Sequence, residues 1–137
     1  MTGRSGPLDG VVVVDLTRVL AGPYLTMMLA DMGARVIKVE IPETGDDARH
    51  FGPFVEGESA YFATINRGKE SITMNLKDQG DRDLFRKLVS KADVLVENYR
   101  AGTMEKLGMG WEVLQEWNPK LVYAAVSGFG SPWGFSG

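Results

Sequence analysis

The sequence predicts an α/β fold with a mostly parallel open sheet and helices on both faces. Residues 10–16, GVVVVDL, hold four consecutive valines, which suits a strand that is buried on both faces of a parallel sheet. Segments of strand composition also alternate with segments of helical periodicity along the 137 residues. That alternation is the order that parallel crossover units produce.

The first β-helix-β unit follows directly from this pattern. After the valine strand, residues 23–32, PYLTMMLADM, are apolar nearly all round and predict a buried helix. Pro23 suits its first turn, where the missing N–H costs nothing. Residues 35–40, RVIKVE, predict the second strand. We expect three methionines of this helix to fill the core: Met27, Met28 and Met32.

Residues 41–69 break the alternation, because they show little periodicity and contain several prolines and glycines. A segment of this length without regular structure is usually functional or mobile. Its aromatic residues are too many for a solvated loop, so we expect it to pack on the rest of the domain or on a partner subunit. These aromatic residues are Phe51, Phe54, Tyr61 and Phe62.

The alternation then resumes and runs to the last strand. Residues 81–92 place apolar side chains on one helical face, and residues 93–99, DVLVENY, predict the next strand. The remaining predicted elements are a strand at 71–76, short helices at 104–107 and 112–117, and a strand at 121–126.

Composition and charge exclude several classes of protein. A net charge of −3 without a Lys/Arg run gives no reason to expect a nucleic-acid partner. Without cysteine there are no disulfides, and the single histidine, His50, is expected at the surface, so we predict no metal site. The apolar-rich stretch 19–32 contains Asp31 and is too short for a membrane span, and MTGRSGPLDG is not a signal peptide. We therefore expect a cytoplasmic protein with no membrane partner.

Three of the predicted strands end in polar or glycine-rich residues. These ends are residues 17–23, 98–102 and 127–130. Ligands of open parallel sheets bind beyond the carboxyl ends of the strands, so their coincidence predicts a ligand crevice. The first end lacks Gly-x-Gly-x-x-Gly, which excludes the dinucleotide fingerprint. It fits either an anion at a helix N-terminus or a simple strand-to-helix turn.

The second end, Asn98-Tyr99-Arg100-Ala101-Gly102, joins an amide, an aromatic ring and a guanidinium. Such residues suit a ligand with a base and phosphates. They equally fit a helix cap at Asn98 and a solvated charge at Arg100. Lys69 and Lys77 could reach a phosphate or simply be solvated, and Glu40 and Glu97 could be explained by ion pairing.

Three blocks of the sequence together resemble one known family. They are DLTRVLAGPYLTMMLADMGARVIKVE, NRGKESITMNLK and KADVLVENYRAGTMEKLGMGWEVLQEWNPKLVYAAVSGFG. In this order they resemble the family III CoA-transferases, the CaiB/BaiF family, over residues 8–130. The resemblance implies a Rossmann-like large domain, a smaller domain and a homodimer of interlocked subunits. It also implies that coenzyme A, as acyl-CoA, is a substrate together with a carboxylic acid.

The resemblance implies which residues lie against coenzyme A. They are Leu20, Ala21, Met74, Asn75, Lys77, Asn98, Tyr99, Arg100 and Lys106. Family members often carry an arginine soon after the second strand, where this chain has Ile41. Lys38 or Arg49 could replace that phosphate contact.

The resemblance also implies a mechanism in which CoA moves between carboxylic acids through an aspartyl-CoA thioester. The family's nucleophilic aspartate lies well beyond the SGFG block, so we name no catalytic residue in this chain. Two alternatives stay open: a 2-methylacyl-CoA racemase of the same family, and a non-catalytic CoA-binding remnant.

The resemblance leads us to expect that residues 1–137 are the N-terminal CoA-binding part of the large Rossmann-like domain, with the fold incomplete and the catalytic part absent. We expect the chain alone to lack transferase activity and to associate or be marginally stable. The closing segment SGFGSPWGFSG would expose apolar rings if nothing covered it. These rings belong to Phe129, Trp133 and Phe135.

Overall fold

A computed structural model of the chain describes residues 5–128 and confirms the α/β fold with a parallel sheet. Seven strands, five α-helices and one 3-10 helix follow one another within these residues. Their bounds are β1 Val12–Asp15, α1 Ala21–Asp31, β2 Arg35–Glu40, a 3-10 helix Asp47–His50, β3 Phe54–Val55, β4 Glu58–Ser59, α2 Ala60–Ile65, β5 Glu70–Thr73, α3 Gln79–Ser90, β6 Val94–Glu97, α4 Thr103–Lys106, α5 Trp111–Trp117 and β7 Val122–Ala125.

The main sheet has five strands in the order β5-β2-β1-β6-β7, and every neighbouring pair is parallel. The chain builds outward from β1 through β2 to β5, and then continues on the other side of β1 with β6 and β7. The strand order therefore reverses between β1 and β6, and the loops that follow these two strands diverge there. In open α/β sheets this switch point is where a ligand crevice forms.

Helices cover both faces of the sheet, as the valine-rich strands require. On one face, buried side chains from α3, α4 and α5 pack with Val14, Val39 and Leu95 from the strands. On the other face, α1 packs through Ala30 against Val13, Val36 and Val96. Successive residues of a strand point to opposite faces, so the valine run supplies both layers.

Helix α1 differs from the sequence prediction, because only one of its faces is buried. Met27 is in the core, but Tyr24, Met28 and Met32 are 51%, 40% and 40% exposed. The expectation that Met28 and Met32 fill the core is therefore wrong. A helix lying on a sheet buries one stripe, so the residues four positions apart on its outer side stay uncovered even when they are apolar.

Residues 41–69 contain the 3-10 helix, the small antiparallel pair β3-β4 and helix α2. The predicted packing on the domain is confirmed for Tyr61 and Phe62, which are half-buried. Tyr61 meets Phe51 edge-on at 5.7 Å between ring centroids. Phe54 is 55% exposed in this chain, so for this residue the packing on a partner subunit stays a prediction.

Two further observations bear on the sequence predictions. Among the described residues, no helix is long and apolar enough to cross a bilayer, and no three His, Asp or Glu side chains gather as metal ligands would. The predicted exposed rings of Phe129, Trp133 and Phe135 lie outside the described residues, as does Gly130 in the third strand-end loop.

Candidate functional site

Asn98 joins the two loops that diverge at the switch point. Its Oδ1 accepts a hydrogen bond from the Arg18 backbone N–H at 2.9 Å, and its Nδ2 donates to the Arg18 carbonyl at 2.8 Å. The side-chain amide thus pairs with a backbone amide 80 residues away. The interpretation of Asn98 as a helix cap is wrong, because the N-cap of α4 is Gly102 with φ 87°. That left-handed conformation suits glycine and explains why the turn needs it.

Tyr99 lies half-buried beside this junction. The Arg18 guanidinium carbon is 5.6 Å from the centroid of its ring, within the range of a cation–π contact. Burial raises the pKa of Tyr99, and the nearby Arg18 charge opposes that rise. The Tyr99 ring packs against the hydrophobic cluster that includes Leu76 and Met104. An aromatic side chain is thereby fixed at the carboxyl edge of the sheet.

The Glu97 carboxylate holds the backbone of Tyr99 and the side chain of Tyr123. One oxygen, Oε2, accepts from the Tyr99 backbone N–H at 2.9 Å, and the other, Oε1, accepts from the Tyr123 hydroxyl at 2.8 Å. Burial raises the Glu97 pKa, while these hydrogen bonds lower it. Ion pairing, one of the two explanations considered for Glu97, is wrong, because its partners among the described residues are an amide and a phenol. Burial also raises the Tyr123 pKa, and the bond to Glu97 raises it further.

The exposed cations at this edge of the sheet are available to a ligand. Within residues 5–128, the side chains of Lys77, Arg100 and Lys106 form no ion pair or hydrogen bond and are exposed. The Arg18 side chain is partly exposed, and its guanidinium lies 4.0 Å from an Asp47 carboxylate oxygen, a long distance for an ion pair. Cations held at strand ends without an internal partner suit a phosphate-bearing ligand.

The structure brings some of the predicted site residues together. Met74 and Tyr99 pack against the same hydrophobic cluster, which connects the loop after β5 with the turn after β6. Asn75 is exposed and accepts from the Lys77 backbone N–H at 3.1 Å. Leu20 and Ala21 lie exposed where α1 begins, in the loop that Asn98 holds. No hydrogen bond or ion pair among the described residues connects the side-chain ammonium of Lys77 or Lys106 to the other site side chains.

Buried charges lie under the first loop, on the α1 face of the sheet. The Asp15 carboxylate accepts from the Thr17 backbone N–H at 2.9 Å, from the Thr26 hydroxyl at 2.6 Å and from the Thr17 hydroxyl. Lys69 Nζ is 3.1 Å from Asp15 Oδ2 and also donates to Asn66 Oδ1 at 2.7 Å. Burial lowers the Lys69 pKa, which the Asp15 charge opposes. Lys69 is therefore not a solvated cation.

The two proposed replacements for the missing phosphate contact are engaged elsewhere. Lys38 is 1% exposed, and its Nζ is 2.8 Å from Asp46 Oδ2. Arg49 makes two 2.8 Å hydrogen bonds to Glu40 and stacks on Phe62, with its guanidinium carbon 3.8 Å from the ring centroid. The suggestion for Lys38 is wrong because the ammonium has no access to a ligand. The ion pair expected for Glu40 is confirmed.

Sequence reasoning missed the buried charges, although a signal was present. Asp15, Lys38 and Glu40 stand among aliphatic residues in the carboxyl-terminal halves of β1 and β2. Charged residues in a strand that is covered on both faces need a buried partner. The strand register places Asp15 beside Lys38 but does not reveal that their partners come from residues 46 and 69.

Comparisons with known proteins agree with this architecture. The family model described as CoA-transferase family III matches residues 8–135. Acetyl-CoA:oxalate CoA-transferase of Acetobacter aceti is 57% identical over 125 residues, covering 91% of this chain and 32% of the relative. Succinyl-CoA:glutarate CoA-transferase of Homo sapiens is 48% identical over 125 residues, covering 90% of this chain and 28% of the relative. The chain thus spans about a third of the length of the curated relatives it matches.

Solved structures show the same fold. A CAIB/BAIF family protein from Brucella suis superposes with a TM-score of 0.85 at 49% identity, covering 91% of this chain and 34% of that chain. The Rv3272 protein of Mycobacterium tuberculosis gives a TM-score of 0.86 at 42% identity, covering 95% of this chain and 36% of that chain. Since the family model spans nearly all of the sequence, the chain belongs to CoA-transferase family III.

Proposed function

We propose that this chain is the N-terminal, CoA-binding part of the large Rossmann-like domain of an acyl-CoA:carboxylate CoA-transferase. The observation that carries the proposal is the Asn98–Arg18 junction at the switch point, with a fixed aromatic ring and exposed cations around it. A base, a pyrophosphate and a 3′-phosphate are the groups of coenzyme A that such residues recognise. The transferase names of the relatives support the reaction class.

The proposed contacts divide by chemistry. Tyr99 offers a ring to the adenine, and Asn98 stays occupied with Arg18 and so contributes through the loop that it holds. Arg100, Lys106 and Lys77 offer positive charge to the phosphates. The remaining proposed contacts are Leu20, Ala21, Met74 and Asn75, which present backbone and uncharged side chains at the edge of the sheet.

The proposed reaction proceeds through an aspartyl-CoA thioester, as the family resemblance implies. A carboxylate attacks the acyl-CoA carbonyl and expels the CoA thiolate, which leaves an acyl-aspartyl anhydride. The thiolate then attacks the aspartyl carbonyl of the anhydride, which releases the donor acid and forms the thioester for the acceptor. We assign the nucleophile to no residue of this chain. Asp15 is fully buried, and both of its oxygens already accept hydrogen bonds.

The names of the relatives also suggest the class of substrate. The acids in these names are oxalate, mesaconate, glutarate and malate, which are all short dicarboxylic acids, and the donors are acetyl-CoA and succinyl-CoA. We therefore propose a short acyl-CoA as donor and a short dicarboxylate as acceptor. We further propose a homodimer in the cytoplasm, on the strength of the family resemblance.

Two measurements test the proposed function. Calorimetric titration of the 137-residue chain with CoA should show saturable binding, whereas pantetheine, which lacks the nucleotide, should bind much more weakly. The protein as the cell makes it, given succinyl-CoA and a panel of dicarboxylic acids, should form the new acyl-CoA detected by mass spectrometry. We expect the 137-residue chain alone to bind CoA without transferring it.

The same assays separate the alternatives. Deuterium uptake at C2 of a 2-methylacyl-CoA, with no transfer to any acid, would identify a racemase and contradict the proposal. Binding of CoA without either reaction in the protein as the cell makes it would identify a non-catalytic module. An absence of CoA binding by the folded chain would reject the assignment of the site itself.

A further inference from the structure

The loop between β1 and α1 holds a residue in an unusual conformation. Val19 has φ 73°, the left-handed region that β-branched residues rarely adopt. It directly precedes Leu20 and Ala21, two of the proposed CoA contacts. Such a conformation persists only where the surrounding structure holds it in place, and it is found mainly at functional sites.

Buried side chains hold the backbone on both sides of Val19. Asp15 accepts from the Thr17 N–H at 2.9 Å, and Lys38 donates to the Thr17 carbonyl at 2.9 Å. Asn98 binds both the N–H and the carbonyl of Arg18. The backbone groups of residues 17 and 18 are therefore all occupied by side chains from three different strands or strand ends.

Asp46 holds Val19 itself. Its carboxylate is 1% exposed, and Oδ1 accepts from the Val19 backbone N–H at 3.1 Å and from the Ala48 N–H at 2.9 Å. Lys38 Nζ lies 2.8 Å from the other oxygen of Asp46. One buried ion pair thus reaches the loop at two points, the Thr17 carbonyl and the Val19 N–H. Asp46 belongs to the segment 41–69, which is distant in sequence from the loop.

We infer that Asp46, together with Lys38, is a positioning residue for coenzyme A: it holds Val19 in the left-handed conformation and so fixes Leu20 and Ala21 before the ligand arrives. The inference rests on the proposed function. A preorganised loop loses less conformational entropy when the ligand binds, which increases affinity without a new contact.

A purely structural role would explain the ion pair less well. Buried ion pairs are commonly no more stabilising than well-packed apolar residues of similar size. Here both charged groups also make hydrogen bonds to the backbone of the same loop, and one of these bonds goes to its strained residue. The pair is therefore arranged around the conformation of the loop, which faces the candidate site.

Two double variants separate the charge of the pair from the hydrogen bond to Val19. In a Lys38→Gln background, Asp46→Asn keeps an oxygen that can accept from Val19, whereas Asp46→Ala removes it. We expect Asp46→Ala to weaken CoA binding in calorimetry about tenfold more than Asp46→Asn does in the same background. Adding Val19→Gly to the weaker binder should restore most of that tenfold loss, because glycine adopts positive φ readily.

The control is Arg67→Gln, which breaks the exposed ion pair with Asp31 and so loosens the same segment away from the loop. It should leave CoA affinity within twofold of the parent. Thermal unfolding of every variant reports stability separately from affinity. Equal CoA affinity of the two Asp46 variants, or no recovery on adding Val19→Gly, would overturn the inference.

Two further measurements cover the remaining outcomes. If Asp46→Ala prevents folding, Val19→Pro in the parent chain replaces it, since proline has neither a positive φ nor an N–H. A folded Val19→Pro variant with parental CoA affinity would overturn the inference. If the parent chain itself does not bind CoA, the proposed function fails. Amide exchange that stays equally slow at residues 17–20 in both Asp46 variants would then reject the positioning role by itself.

Discussion

At the scale of single residues, Asn98 shows how a side chain acquires a role from its place in the fold. Its side-chain oxygen accepts from the Arg18 N–H, and its side-chain NH2 group donates to the Arg18 carbonyl. Arg18 in turn lies over the Tyr99 ring. Three residues from two loops are thereby fixed around the proposed ligand, and none of them is a candidate for chemistry on it.

Arg100 provides the first residue-scale prediction. Its exposed guanidinium has no ion pair within residues 5–128, so in the complex it should pair with a CoA phosphate. Arg100→Ala should weaken CoA binding by roughly 1.5–3 kcal/mol, the usual worth of a hydrogen bond to a charged group. Calorimetry checks this, with Lys87→Ala on α3 as an exposed cationic control. Unchanged affinity in a folded Arg100→Ala variant would remove the residue from the site.

Tyr123 provides the second residue-scale prediction, because its hydroxyl donates a hydrogen bond to the buried Glu97 carboxylate. Tyr123→Phe should lower the free energy of unfolding by about 1–3 kcal/mol at pH 7.5, because a buried carboxylate loses a donor. Burial raises the Glu97 pKa above its ordinary value, so the carboxyl is protonated as the pH falls towards 4 and the cost should then shrink. Urea unfolding at both pH values tests this.

The control for that experiment is Tyr24→Phe. Tyr24 is 51% exposed on α1, so loss of its hydroxyl should change stability little at either pH. A Tyr123→Phe cost that is equal at pH 4 and pH 7.5 would show that the lost hydroxyl does not act through the Glu97 charge.

At the scale of elements, three ion pairs connect the segment 41–69 to the sheet. Three carboxylates and three cations pair beneath or beside it: Asp15 with Lys69, Asp46 with Lys38, and Glu40 with Arg49. Three of these six residues come from the segment and three from β1 and β2. Of its aromatic residues, Tyr61 and Phe62 are half-buried, whereas Phe51 and Phe54 are exposed.

Glu40 makes the attachment of this segment sensitive to pH. Burial would raise its pKa, but hydrogen bonds from Arg49, Ser71 and the Asp46 N–H lower it to about 2 from 4.5. A lowered pKa stabilises the fold above pH 4.5, and that stability is lost as the pH falls from 4.5 towards 2. Allowing for the screening of Arg49 by solvent, the contribution is roughly 2 kcal/mol at neutral pH.

The check is denaturant unfolding of the parent and of Glu40→Gln at pH 6 and pH 3. The parent should be more stable at pH 6, and the difference between the two proteins should narrow at pH 3. Glu97 opposes this trend in both proteins equally, so the difference isolates Glu40. A difference that stays constant with pH would contradict the assignment of the charge to Glu40.

At the scale of the whole molecule, an acidic chain carries exposed cations after the ends of its strands. The chain carries −3 overall, yet Arg18, Lys77, Arg100 and Lys106 are exposed on loops and a helix that follow the strand ends. Local positive potential concentrates anionic ligands even on an acidic protein. The parallel sheet brings the segments that carry these cations to one edge, because all five carboxyl ends meet there.

Salt should therefore weaken the binding of CoA. Raising the ionic strength from about 0.1 M to about 1 M shortens the screening length from about 10 Å to about 3 Å. The CoA dissociation constant from calorimetry should rise severalfold over this range. Dephospho-CoA, which lacks the 3′-phosphate, should show a shallower dependence. Binding that is insensitive to salt for both ligands would contradict recognition through the phosphates.

The sequence by itself determined the class of fold, and it predicted where along the chain a binding site lies. Four valines in residues 11–14 and the 3.6-residue periodicity of 81–92 depend only on local geometry, so they predict buried strands and an amphipathic helix without further information. Polar residues at strand ends predict a crevice for the same reason. The family resemblance supplied the proposed ligand, and the family model agrees with it.

Only the tertiary structure decided which polar residues meet. Met28 and Met27 are adjacent and chemically identical, but one faces solvent because a helix on a sheet buries a single stripe. From their chemistry alone, Lys38 and Lys106 are equally good phosphate ligands. In the structure, however, Lys38 pairs with Asp46 in the interior. The pairing of Asn98 with Arg18 joins residues 80 positions apart. No local sequence pattern encodes such a contact, because its partners meet only when β1 and β6 pair in the sheet.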